Sequence, residues 1–134
     1  MRTSASMVPI ALALTACSSA QSLKDSPVSI VSFVAGRNYE IVFRDLKAHT
    51  MKCFEESRIG SSVSIDAHIY SVSKEGEIYV IKTGLLDTKN ILELNVKALG
   101  EDQTEVTVRD LVRFEAEKRA ENLKFAAHSG ASPC

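Results

Sequence analysis

Val63-Ser64-Ile65-Asp66-Ala67-His68-Ile69-Tyr70 alternates apolar and polar residues without interruption. Successive side chains of an extended chain point to opposite faces, so a period of two marks a strand covered on one side and wet on the other. Upstream the period is different. From Tyr39 the apolar stripe falls at Tyr39, Val42, Phe43, Leu46, Thr50, Cys53 and Phe54, offsets of 0, 3, 4, 7, 11, 14 and 15, which line one face of an α-helix. Asn38, just after Gly36 and Arg37, has the side chain to cap that helix, and Gly60 is expected to close it. The change of period at Gly60 therefore separates a helix from a sheet.

Downstream the alternation recurs. Ser73-Lys74-Glu75-Gly76 reads as a turn into Glu77-Ile78-Tyr79-Val80-Ile81-Lys82, a second strand. Leu92, Leu94, Val96 and Ala98 alternate with Glu93, Asn95 and Lys97 in a third, and Gly100-Glu101-Asp102-Gln103 turns into a fourth over Thr104 to Arg109. Short connections make such strands antiparallel neighbours. Asp110 is expected to cap a final helix to about Ala127, with Leu111, Phe114, Ala116, Ala120, Leu123 and Ala127 partly aligned and Gly130 and Pro133 beyond. Val28 to Val34 is β-branched and aromatic enough for a strand, but it does not alternate cleanly. The fold predicted is α+β: a two-layer sandwich in which a four-stranded antiparallel meander carries two helices packed on one face.

The N-terminus is organised differently. Arg2 opens a short apolar run, Met7 to Leu14, well below the ~18 to 20 residues of a spanning helix. Leu14-Thr15-Ala16-Cys17 follows it. These residues resemble the lipobox of bacterial lipoproteins, in which small residues admit the signal peptidase and the cysteine thiol accepts a diacylglycerol. The resemblance implies a signal peptide over residues 1–16, lipidation at Cys17 and attachment to the membrane through its acyl chains. An ordinary secretory signal would instead leave Cys17 an incidental thiol. Ser18, where aspartate favours inner-membrane retention in enterobacterial lipoproteins, implies an outer-membrane location facing the periplasm. Residues 17–27 are small and polar and read as a flexible tether, leaving 28–134 as a single α+β domain.

With Cys17 set aside, Cys53 and Cys134 remain, in a compartment that oxidises thiols. A disulfide between them is expected, closing a loop of roughly 80 residues and tying down the last residue, for about 4 kcal/mol on the chain-entropy account. The chain carries 16 basic and 17 acidic residues, interspersed, with no basic patch to attract nucleic acid.

Catalytic constellations are not evident. His49, His68 and His128 are too far apart in sequence for a metal-ligand pair, so no metal and no cofactor are expected. The Glu55-Glu56 pair reads as a solvated helix end, and no nucleophile elbow or phosphate loop appears. On the outer face of the sheet, Tyr70, Tyr79 and Ile81 are expected to cluster beside His68, either as a partner site or as ordinary cross-strand pairs that stabilise the sheet.

The lipobox, the segment Tyr39-Glu40-Ile41-Val42-Phe43-Arg44, Cys53, the meander and the terminal Cys134 together resemble small lipoproteins of Gram-negative bacteria. In outline the helix-on-sheet body is also similar to helix-grip domains of accessory lipoproteins in the outer-membrane β-barrel assembly machinery, though no residue motif ties it to that machinery. The expectation is a non-enzymatic, lipid-anchored envelope protein that binds an envelope protein partner or serves an assembly as an accessory. The alternative is a small-ligand or hydrolase-inhibitor module at the periplasmic membrane surface.

Overall fold

A computed structural model describes residues 29–58, 60–112, 114–130 and 133–134. Cys17 and the 17–27 tether lie outside the described residues. The elements in order are β1 (Ser29–Ala35), α1 (Tyr39–Phe54), β2 (Glu56–Arg58), β3 (Ser61–Tyr70), β4 (Glu75–Gly84), β5 (Thr88–Gly100), β6 (Gln103–Asp110) and α2 (Ala116–Ser129). The fold is α+β, with an antiparallel sheet and two helices against one of its faces.

The sheet has six strands in the order β1-β6-β5-β4-β3-β2, five of them long and β2 only three residues. This corrects the four-stranded expectation at both edges. β1 was ambiguous because it is apolar on both faces: Phe33 and Ala35 pack toward the helices while Ile30 and Val34 face outward. Its partner is β6, with Ser32 opposite Thr107 and Phe33 opposite Val106, a pairing too distant in sequence for local periodicity to reveal. At the other edge, α1 ends at Phe54 rather than near Gly60. Glu55 is already extended and the chain passes into β2, while Gly60, at φ 84°, makes the tight turn from β2 to β3.

The start of α1 follows its sequence: Asn38 is extended, and its Oδ1 accepts the Glu40 backbone N–H at 2.9 Å. The start of α2 does not. Asp110 remains in β6, and the helix begins at Ala116 after a left-handed Glu115 that makes no side-chain cap. Asp110 has a competing use. It is buried, and its carboxylate accepts the Val112 N–H at 2.8 Å and the Arg119 Nε–H at 2.7 Å, so it braces the strand-to-helix connection rather than capping the helix. Phe114 lies 77% exposed, off the buried face of α2, which is Ala116, Ala120, Leu123, Ala126 and Ala127.

Val42 and Leu46 of α1 and Leu123 of α2 meet Ile78, Val80, Leu92, Leu94, Val96, Val106 and Val108 of the sheet, all essentially inaccessible. Gly76 lets Phe43 lie directly on β4, because a Cβ there would overlap the phenyl ring. A bulge at Ile91 shifts the β4–β5 register, and the freed Ile91 carbonyl accepts the Leu111 N–H at 3.0 Å.

Candidate functional site

Both helices occupy one side of the sheet, so among the described residues its other side is uncovered, and it is set by every second residue of five long strands. The register aligns these residues in rows. Asp66, Tyr79, Glu93, Arg109 and Ile30 follow one another from β3 to β1; the next row is His68, Glu77, Asn95, Thr107 and Ser32. A third contains Tyr70, Glu75, Lys97, Glu105 and Val34. Acidic and basic groups alternate between neighbouring strands, with Lys97 Nζ 4.0 Å from Glu75 Oε1, an arrangement that favours the register as well as charging the surface.

Tyr70, Tyr79, Ile81 and His68 all lie on this face of the adjacent strands β3 and β4, with Tyr70 and His68 exposed and Tyr79 and Ile81 half-buried. His68 Nε2 is 3.0 Å from Asp66 Oδ1, and the Tyr70 hydroxyl donates to Glu77 Oε2 at 3.3 Å. The Glu77 charge is the main cause holding the Tyr70 phenol above its ordinary pKa; for Tyr79 desolvation comes first and Glu77 second. Both phenols stay protonated through neutral pH and remain donors. Between Tyr70 and β6 a depression of about 180 Å³ is lined in part by Glu77, Asn95, Lys97 and Thr107.

The helical side has a different feature. The Arg37 guanidinium joins three parts of the fold, donating to Asp45 Oδ2 at 2.7 Å and to the Ala127 carbonyl at 3.1 Å while its own carbonyl accepts from Thr104 Oγ1 at 2.7 Å. Beside this clasp a groove of about 500 Å³ runs between α1 and the end of α2, lined in part by Asp45, His49, Lys52 and Phe125. His49 lies on the buried face of α1, and burial, then the Lys52 charge, lowers its pKa. Its Nδ1 lies 3.7 Å from Cys53 Sγ.

Cys53 and Cys134 are brought together, with sulfurs 2.09 Å and Cα atoms 5.4 Å apart. Cys53 is half-buried rather than fully on the inward stripe, which continues through His49 and Thr50 instead. The three histidines have different neighbours: His68 Nε2 is 3.0 Å from Asp66, His49 Nδ1 is 3.7 Å from Cys53 Sγ, and the His128 ring sits 6.0 Å from that of Phe33. Among the described residues no three His, Cys, Asp or Glu side chains gather closely enough to hold a metal ion. Glu55 forms the C-cap of α1.

The sequence placed Tyr70, His68, Tyr79 and Ile81 on one sheet face, but the register spreads them over four successive rows rather than one cluster, and the Arg37 clasp, the His49 groove and the Asp110–Arg119 pair were missed. His49 lies three residues beyond Leu46, so the helical stripe contained its signal and only its polarity concealed it. The other two depend on contacts across the fold. No protein-family model and no curated protein matches this chain.

Proposed function

We propose that this chain is a lipid-anchored lipoprotein of the bacterial envelope. In particular, it is an accessory component held to the outer membrane at Cys17, facing the periplasm, whose body binds an envelope protein non-enzymatically. The observation that carries the binding role is the uncovered sheet face, where exposed aromatic and alternating charged residues span five strands. Such a surface offers a protein partner hydrogen-bond donors, acceptors and aromatic area on a rigid support. Cys17 and the tether are the basis of the location.

Among the described residues the space between sheet and helices is filled by apolar side chains, so a small ligand would have to take a surface site, either the groove beside α1 and α2 or the sheet face itself. The sheet face is the surface proposed for the protein partner. Photo-crosslinking residues placed at Tyr79 and Asn95 in intact cells test it, with Glu121 on the exposed side of α2 as control. The reading predicts one common adduct from both sheet positions, absent from Glu121 and weakened by Lys97→Glu. Equal adducts at all three positions, or none at the sheet positions, would contradict it.

A further inference from the structure

The two ends of the sheet differ. β1 begins at Ser29, opposite Asp110 of β6, and Asp110 in turn lies opposite Leu92 of β5. Beyond that level β3, β4 and β5 continue, with the short β2 paired to β3, and the β4–β5 hairpin tip stands beside Gly60 of the β2–β3 turn. The chain coming from Cys17 thus enters the fold at the end where this hairpin tip stands.

The hairpin tip is apolar. Leu85 and Leu86 are 86% and 99% exposed, between Gly84 and Asp87, whose carbonyl accepts the Gly84 N–H at 2.7 Å and holds the turn. Behind the tip, Lys82 and Lys89 stand directly opposite each other and are both exposed. Like charges in facing positions destabilise a ladder, and among the described residues no ion pair engages either one. An apolar tip with a basic collar suits the interface of a membrane containing anionic lipid. Phe114, also strongly exposed, follows β6 at this same end. The opposite end has the turns at Ser71 to Lys74 and at Glu101-Asp102; Val72 is apolar there, but the carboxylates of Glu75, Glu101, Asp102 and Glu105 outnumber the ammonium groups of Lys74 and Lys97, which disfavours an anionic surface.

We propose that the Leu85–Leu86 tip inserts into the interface of the same bilayer that holds the Cys17 acyl chains, orienting the body end-on with its open sheet face accessible from the side. This rests on the anchor proposed above. Ser29 follows Cys17 by twelve residues in sequence, so the covalent reach of the chain limits the entry end of the sheet to about 40 Å from the anchor. A lipid surface is the occupant because the chain itself leads to one.

The chain contains no tryptophan, so Leu86→Trp and Val72→Trp each provide a single reporter, at positions exposed enough to leave the fold intact. The full-length chain, isolated from bacterial membranes, is reconstituted into phosphatidylethanolamine–phosphatidylglycerol vesicles with brominated acyl chains, and the mass of the same sample reports acylation. The proposal predicts at least a twofold loss of L86W emission with a blue shift, and V72W emission unchanged. An acylated, vesicle-bound chain in which L86W is unquenched, or in which V72W is quenched as strongly, overturns the tip assignment alone. A chain without acyl groups that fails to float with vesicles overturns the anchor and the tip together.

Discussion

His49 and Asp110 show how single polar side chains are made compatible with the interior. Desolvation, helped by Lys52, lowers the imidazole pKa below its usual value of about 6.5. The unfolded chain therefore takes up the proton first as pH falls. The stability His49 contributes is complete above about pH 6.5 and is lost as pH drops through the lowered folded value. Thermal melts from pH 7 to pH 5 should show a falling midpoint, and His49→Gln should flatten that fall; an identical slope in the variant would contradict the assignment. Asp110 is held differently, by a charge-assisted bond from Arg119 and a backbone N–H. Asp110→Ala leaves the largely buried Arg119 with the Val112 carbonyl but without its carboxylate, and denaturant titration should show a loss of about 3 kcal/mol. A loss within a few tenths of that of an ordinary surface substitution would show that the brace is dispensable.

At the scale of elements, packing against Gly76 yields the clearest contrast. A methyl group at Gly76 must displace the Phe43 ring, so Gly76→Ala should cost about 1–3 kcal/mol. At Gly36 a Cβ meets nothing within 4 Å, so Gly36→Ala should be neutral or slightly stabilising. Equal effects in chemical denaturation would mean that the Phe43 contact is not what Gly76 serves. Where periodicity was the governing physics, the elements were legible in the sequence: α1 began at its Asn38 cap, and β3 to β6 followed their alternation. Where a distant partner decided, they were not. β1 is fixed by pairing with β6, the end of α1 by the edge strand β2, and the start of α2 by the recruitment of Asp110 to Arg119. That Tyr70, Tyr79 and Ile81 share one face was legible because side-chain parity within β3 and β4 is a local property; their spread over several rows was not, because it depends on the β3–β4 register. The groove at His49 was not, because its second wall comes from α2.

For the whole molecule, the link between Cys53 and Cys134 joins the end of α1 to the chain terminus across a separation of 81 residues. Asn122 Nδ2 also donates to the Cys134 carbonyl at 3.1 Å, so the terminus is held along α2 as well. On the chain-entropy account the crosslink is worth about 4 kcal/mol. Reduction, or the double variant C53S/C134S, should lower the unfolding midpoint accordingly, whereas free thiols in the protein isolated under non-reducing conditions would remove the basis for that effect. The proposed anchor, the entry end and the sheet face are compatible with one proposed arrangement, in which the hairpin tip would point to the lipid and the charged face would be presented sideways to a partner. Its central claim is acylation at Cys17, and intact-mass analysis of the chain extracted from its native membrane tests this most directly. The account predicts an N-terminus at Cys17 carrying diacylglycerol, with or without a third acyl chain. A mature chain that retains Met1, or begins elsewhere with an unmodified Cys17, would contradict it.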